Sequence, residues 1–189
     1  MKKRARTFIT LIAIVATTFC ANAQTNWAFG AGHSNIGFAI QWNEFSFRTG
    51  EFKDFIGTIE SPDSTTFVNS KINLVIKNSG IDVINSHLNK MLMSEEYLDS
   101  AKCPEISFNC EKLKKYKKNK YKAEGLITIK CKSVNTTFLV EDNGSKGKNS
   151  FMKITGTLSK KDFGITGGGD RLGDVINITA YLELEKKKK

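Results

Sequence analysis

The stretch IGFAIQWNEFSFRTGEFKDFIGTIE, residues 36–60, decides the fold. Its first half carries apolar side chains on every second position, at Ile36, Phe38, Ile40 and Trp42. Successive side chains of a β-strand point to opposite faces, so this period of two predicts a half-buried strand. Gly50 and Gly57 then interrupt a second aromatic run, and glycines inside strands mark bends or bulges. The stretch therefore predicts a curved sheet that closes into a barrel.

The same period of two recurs along the rest of the chain. Residues 71–77 and 105–110 alternate apolar with polar side chains, as do residues 122–131 and 176–184. The second and third of these segments flank a lysine-rich turn, which predicts a hairpin centred near Lys118. Counted in this way, the chain has about eight strands, a number that suits a small closed barrel. We predict one all-β domain with a single helical segment.

Residues 79–100 are the exception to this period. Ile84, Leu88 and Leu92 recur every four residues behind Asp82, which is a suitable N-cap. The spacing predicts a helix here, and we expect its apolar side to cover one end of the barrel.

The first residues have the pattern of a secretory signal peptide. Four basic residues precede an apolar run over residues 8–19, and the small residues of Ala21-Asn22-Ala23 follow. We expect cleavage after Ala23, which leaves a single domain over residues 24–189 that begins at about Gln24 and lies in the periplasm. Lipidation at Cys20 is the alternative, but the bulky Phe19 before it departs from a lipobox.

The positive charge of the chain is local. The formal net charge is +10, of which the four basic residues of the signal contribute four; the excess after the signal lies mainly in residues 112–122 (KLKKYKKNKYK) and in residues 186–189. One interpretation is a solvated hairpin tip and chain end. The other is a patch that binds an anionic membrane surface, to which each lysine adds about 1 kcal/mol. Export disfavours nucleic acid as a partner.

Three cysteines follow the signal, Cys103, Cys110 and Cys131. They form no C-x-x-C motif and have no histidine at ligand spacing, so neither a metal site nor a cofactor is expected. The predicted hairpin brings Cys103 opposite Cys131, and an oxidising compartment would allow a disulfide there. Strand parity argues against that bond because it turns Cys131 inward and Cys103 outward.

The sequence predicts no catalytic residues. After the signal the chain has only His33 and His87, and neither lies in a nucleophile-elbow or H-E-x-x-H motif. His33 and Ser34 are adjacent in a predicted strand and so point to opposite faces. The glycine-rich residues 162–174 lack the lysine and helix of a phosphate-binding loop. We expect a protein that is not an enzyme.

Several motifs resemble, in order and spacing, those of the YceI-like family of envelope proteins. They are His33-Ser34-x-Ile36-x-Phe38, Gly50-x-Phe52-x-x-Phe55-x-Gly57, Ser94-Glu95-Glu96-Tyr97-Leu98-Asp99, Pro104-x-Ile106-x-Phe108 and Lys161-Asp162-Phe163-Gly164-Ile165. The resemblance covers nearly all of residues 26–185. In two places the chain departs from the family: Met91-Leu92 stands for a His-Leu dipeptide, and the turn after Ile129 has lost its glycine.

The resemblance implies an extended antiparallel eight-stranded β-barrel, lipocalin-like, with a helix. It implies that a polyisoprenoid or a related long-chain lipid is bound in a pore, and that the protein forms a homodimer. Strand parity then predicts eleven residues that line the pore: Phe38, Ile40, Trp42, Phe52, Phe55, Leu74, Ile76, Phe108, Ile127, Ile129 and Ile154.

Two functional hypotheses follow from the sequence. The first is a periplasmic binding or carrier protein that holds an isoprenoid or fatty chain in the barrel interior. The second is an envelope interaction or stress-response module, with a barrel filled by its own side chains and a basic surface hairpin. Parity alone does not separate them, because an eight-stranded barrel either fills with side chains or holds one small ligand.

Overall fold

The computed structural model describes residues 24–62 and 64–187. The predicted signal peptide and Cys20 lie outside the described residues. The strands are β1 (Thr25–Gly30), β2 (Asn35–Asn43), β3 (Ser46–Phe52), β4 (Phe55–Ser61), β5 (Lys71–Lys77), β6 (Ile81–Asp82), β7 (Glu105–Lys117), β8 (Lys120–Ile129), β9 (Lys132–Lys146), β10 (Asn149–Ser159) and β11 (Val175–Lys186). The α-helix is α1 (Ser86–Leu92).

Eight of the strands form a closed antiparallel ring. Its order is β1–β4–β5–β7–β8–β9–β10–β11, and β11 pairs back onto β1 at Trp27–Lys186 and Ala28–Glu185. The prediction of an all-β, eight-stranded antiparallel barrel is therefore confirmed. Closure removes the exposed edges of these eight strands.

The remaining three strands extend the barrel wall on one side. β11 has twelve residues, and only its last part pairs with β1. Its first part, from Ile176 to Tyr181, pairs with β2 instead, and β3 and β6 follow outward from β2. The count of strands is thus higher than the sequence suggested, because one long strand serves both the ring and this flap of β2, β3 and β6.

The helix is shorter than predicted. The Asn85 side chain caps its start by accepting hydrogen bonds from the backbone N–H groups of His87 at 3.0 Å and Leu88 at 3.1 Å. Asp82, the predicted cap, instead ends β6 and accepts from the N–H of Ile84 at 2.8 Å. The prediction of a helix over 79–100 was wrong in extent, because strand pairing and turns take up the rest. Among the described residues, no helix is long and apolar enough to cross a membrane.

We call residues 83–104, which contain α1 and connect β6 to β7, the lid. A disulfide joins its Cys103 to Cys131, with the Cα atoms 5.6 Å apart. The parity argument against this bond was wrong because neither cysteine lies in a strand. Cys131 belongs instead to the β8–β9 turn, where it and Lys130 have φ of +57° and +52°, and Cys103 precedes β7.

Candidate ligand-binding cavity

The barrel interior is filled with side chains at one end and hollow at the other. Side chains at the packed end are 0–3% exposed: Leu113, Tyr121, Val140, Met152 and Leu184. The other end encloses a cavity of about 160 Å³, and the described residues that line it have almost entirely hydrocarbon side chains. A void of this size in such surroundings stays dry and binds apolar molecules. The barrel is therefore filled along part of its length and lined along the rest.

The lid closes the open end of the cavity. Its Leu92, Tyr97 and Leu98 line the cavity from above the strand ends. The backbone carbonyl of Glu96 accepts hydrogen bonds from the N–H groups of Thr166 and Gly167, both at 3.0 Å. These bonds hold the lid against the loop that connects β10 to β11. Together with the disulfide, they fix the lid at two separate places on the barrel rim.

The loop that connects β10 to β11 also covers the cavity and contacts the flap. Its Ile165 and Leu172 also line the cavity, and the N–H of Gly173 donates to the backbone carbonyl of Gln41 at 2.7 Å. The loop therefore joins the lid on one side and β2 of the flap on the other. The cavity is enclosed at this end by the lid and this loop rather than by strand ends alone.

Nine of the eleven predicted pore-lining residues lie around this cavity. They are Phe38, Ile40, Phe52, Leu74, Ile76, Phe108, Ile127, Ile129 and Ile154. They come from β2, β3, β5, β7, β8 and β10, so the sheet brings together residues that are up to 116 positions apart, from 38 to 154. That they bind a ligand is still a prediction.

Trp42 and Phe55 do not line the cavity, and for them the prediction of position was wrong. The β2–β3 register shifts between Gln41 and Asn43, which breaks the alternation at Trp42. The Trp42 ring packs under the Arg48 guanidinium, whose Cζ lies 4.9 Å from the ring centroid. Phe55 is buried in the core, with 3% exposure, but away from the void. Its cross-strand neighbour Ile76 does line the cavity, so a place on the inner face at this level does not by itself bring a side chain to the void.

The structure also adds lining residues that parity did not identify. Ile36, Ile178 and Leu182 could have been found, because they continue alternating runs that the sequence already showed. Lys160 is in phase with the inward-facing Ile154 and Leu158 of β10, but the parity prediction covered only apolar residues. Tyr97 and Leu172 could not have been found, because they lie in the lid and in a loop. Strand period carries no information about such segments.

The titratable groups at the cavity differ in their surroundings. Burial, and then the nearby carboxylate of Glu96, raise the pKa of Tyr97, so its hydroxyl stays protonated and can donate. The hydroxyl of Ser34, the neighbour of His33, is engaged by the backbone of β11. Ser34 Oγ accepts from the N–H of Glu183 at 3.0 Å and donates to the same residue's carbonyl at 3.5 Å, which ties the start of β2 to β11.

Fold and cavity together define a lid-covered, eight-stranded β-barrel with an apolar internal site. The YceI-like domain model matches residues 27–184, and the chain belongs to this family. Protein YceI of Salmonella newport (strain SL254) is 29% identical over 172 residues, which are 88% of each chain. The resemblance inferred from the motifs is therefore confirmed.

Two solved structures share the fold. BcnA of Burkholderia cenocepacia has a TM-score of 0.74 and 19% identity, covering 79% of this chain and 95% of that one. A polyisoprenoid binding domain from Saccharophagus degradans, implicated in plant cell wall breakdown, has a TM-score of 0.69 and 9% identity over 87% of this chain and 99% of that one. At these identities the similarity concerns the fold.

Proposed function

We propose that this protein is a periplasmic binding or carrier protein for a polyisoprenoid or another long-chain amphiphilic lipid. The observation that carries the proposal is the hydrocarbon cavity beneath the lid. Water gains no hydrogen bonds there, whereas each methylene of a bound chain contributes about 0.8 kcal/mol by leaving water. The proposal assigns the protein no catalytic step.

Two further observations support the proposal. The Saccharophagus degradans domain of the same fold is named for polyisoprenoid binding. The signal-like residues 1–23 support export, and a disulfide between Cys103 and Cys131 suits an oxidising compartment such as the periplasm.

A cavity-filling variant tests the proposal. Ala180 is 5% exposed and lines the cavity, so Ala180→Phe places a ring in the space that the chain would occupy. We expect the delipidated protein to bind a fluorescent polyene fatty acid and Ala180→Phe to lose at least tenfold in affinity. Ile56→Phe is the control, because Ile56 is 70% exposed on the outer wall. Equal binding by a folded Ala180→Phe would reject the cavity as the site.

A second function is favoured by the position of the lysine-rich hairpin. Its turn at residues 118–119 lies beyond the packed end of the barrel, away from the cavity. Lys115 Nζ lies 4.8 Å from the ring centroid of Tyr121, and Lys122 Nζ lies 4.8 Å from that of Tyr116. We propose that this end binds an anionic membrane surface. Vesicles with anionic lipid should co-sediment with the protein in low salt and release it in high salt.

The homodimer implied by the family resemblance is also a proposal. Phe45 at 93% and Ile84 at 97% exposure are large apolar side chains that a partner subunit would cover. Analytical ultracentrifugation of the protein and of Phe45→Ser tests it. A dimer that Phe45→Ser weakens would support it, and a monomer at high concentration would contradict it.

A further inference from the structure

The strands β9 and β10 are joined over only part of their length. Their pairing ends at Leu139–Thr155. Towards the lid, residues 132–138 of β9 pair with β8 alone, and residues 156–159 of β10 pair with β11 alone. We call the region between these two segments the seam. The hydrogen-bond ladder of the barrel wall is interrupted there, so the two strands can separate without breaking a bond between them.

A short 3-10 turn, Lys161–Phe163, covers the seam. The turn lies against both β9 and β10, and its Phe163 side chain is fully buried, with 0% exposure. Phe163 and Thr157 line a groove on the outside of the barrel, and Leu158 lines both this groove and the cavity. At Leu158, therefore, a single side chain separates the outer groove from the cavity.

The turn is bonded differently on its two sides. On the side of β10 and β11, the N–H of Lys161 donates to the Asp174 carboxylate at 3.1 Å. On the other side, Lys130 Nζ of the β8–β9 turn donates to the backbone carbonyl of Gly164 at 2.8 Å. Among the described residues, no backbone hydrogen bond joins the turn to β9. Movement of the turn away from β9 therefore breaks chiefly this lysine bond and the packing of Phe163.

The groove and the cavity differ in polarity in a way that suits an amphiphile. The cavity wall exposes only apolar surface, including that of Leu92 and Leu98 of the lid. The groove also carries hydroxyl and amide side chains, those of Asn135, Thr137, Thr157 and Ser159. A polar head that crosses a hydrocarbon region loses its hydrogen bonds to water. A tail that enters from the groove leaves its head in polar surroundings throughout.

We propose that the seam is a lateral portal through which the hydrocarbon tail of the ligand enters and leaves the cavity, with Phe163 as its gate. Movement of the turn away from β9 withdraws the Phe163 ring and opens the groove into the cavity beside Leu158. The Cys103–Cys131 disulfide restrains this movement, because Cys131 directly precedes β9. This inference rests on the proposed function and adds the route by which the ligand reaches its site.

Exchange rates of the fluorescent polyene fatty acid, measured by stopped flow, test the gate. Phe163→Ala should accelerate both association and release by about tenfold and change the dissociation constant by less than about threefold, because Phe163 lies on the route and does not line the cavity. Phe67→Ala is the matched control. It truncates another buried phenylalanine, which packs on Trp27 and lines neither the groove nor the cavity, and should leave both rates unchanged. If the alanine variants do not fold, Phe163→Leu and Phe67→Leu replace them.

A bulky adduct tests the route from the outside. Thr157 is exposed at the groove, so Thr157→Cys can carry a maleimide-linked polymer. Labelling without reductant keeps the disulfide intact, and the native Cys110 is buried. We expect the adduct to slow association by about fivefold or more, because it obstructs the entrance. The same adduct at Met91→Cys on the lid or at Ile56→Cys on the outer wall should have little effect.

The outcomes separate this inference from the proposed function. Faster exchange in Phe163→Ala but not in Phe67→Ala, together with slowing by the adduct at Thr157→Cys, supports the portal. Wild-type rates in a folded Phe163 variant would overturn it and leave the lipid-binding proposal intact. Slowing by the adduct at Met91→Cys alone would also overturn it, because the ligand would then enter beneath the lid. Failure of the wild-type protein to bind the fatty acid would reject the portal together with the proposed function.

Discussion

At the residue scale, the Phe29 ring occupies the space that a side chain at Gly57 would need. The two residues are paired across β1 and β4, and Phe29 lines the cavity. Gly57→Ala should push the ring out of place at a cost of about 1–3 kcal/mol, which is typical of overpacking. Urea denaturation measures the loss, and Gly32→Ala is the control, because a Cβ at Gly32 meets nothing within 4 Å. An unchanged stability of Gly57→Ala would show that the ring is free to move.

Cys110 gives a second prediction at this scale. It is the free cysteine of the described residues and is 2% exposed, and burial raises the pKa of its thiol. Thiolate is the reactive form, so the native protein should not react with a maleimide reagent at neutral pH. After unfolding without reductant, residues 24–187 should take up one label per chain. Three labels after unfolding would show that the disulfide is absent.

At this scale, side-chain parity predicted some of the cavity residues from the sequence and missed others. It placed Phe38, Leu74 and Ile129 at the cavity because each lies within a regular strand. It failed at Trp42, where a register shift breaks the alternation, and at Cys131, which lies in a left-handed turn. It passed over Lys160, which continues the inward-facing alternation of Ile154 and Leu158, because only apolar residues were counted.

At the element scale, the Cys103–Cys131 bond ties the lid to the β8–β9 turn across 28 residues. In the chain-entropy model, a loop of this length stabilises the folded state by roughly 3–4 kcal/mol. The double variant Cys103→Ser/Cys131→Ser should lose about that much free energy of unfolding, measured by urea denaturation. It should also bind and release the fluorescent fatty acid faster, because the lid is then held mainly by hydrogen bonds. Cys110→Ala serves as the control. Exchange at the wild-type rate would contradict a role of the lid in ligand entry.

The β10–β11 loop gives a pH-dependent prediction. Desolvation raises the pKa of Asp174, but the hydrogen bonds from Ser159 and from the N–H of Lys161 outweigh it and lower the pKa below its ordinary value of about 3.9. A lowered carboxylate pKa contributes stability that is present above the unfolded-state pKa and lost as pH falls through the folded-state pKa. Asp174→Asn should therefore flatten the fall in stability between about pH 5 and pH 2, measured by thermal melting. An unchanged acid slope would contradict these bonds.

The elements themselves were predictable to different degrees. The β7–β8 hairpin and the strand β5 follow from clear alternation. The lid does not, because Asn85 ends up as the cap in place of Asp82, and Asp82 is used by pairing between β3 and β6. Competition between local capping and distant strand pairing decides that boundary, and only the folded structure contains the pairing.

At the scale of the whole molecule, the two ends of the barrel are different. One is packed with side chains and carries the lysine-rich hairpin, and the other encloses the cavity beneath the lid. The sequence hypotheses of a filled and a lined barrel each describe one end. Parity could not show this, because both ends use the same inward-facing apolar pattern.

Ligand binding should stabilise the whole fold. A ligand at a hundred times its dissociation constant adds about 2.7 kcal/mol, and for a domain of this size each kcal/mol raises the melting temperature by roughly 2–4 °C. We expect a long-chain amphiphile to raise the melting temperature of the wild-type protein by about 5–10 °C and that of Ala180→Phe by much less. Equal shifts in both would place the ligand outside the cavity.

The most direct test of lipid binding is the mass of the protein purified without detergent, measured under native and then denaturing conditions. We expect a native mass that exceeds the denatured mass by one lipid molecule, which organic extraction then releases for identification. The Ala180→Phe variant should lack this adduct. A native mass equal to the denatured mass, unchanged after incubation with isoprenoids and fatty acids, would contradict the proposal that the barrel holds a long-chain lipid.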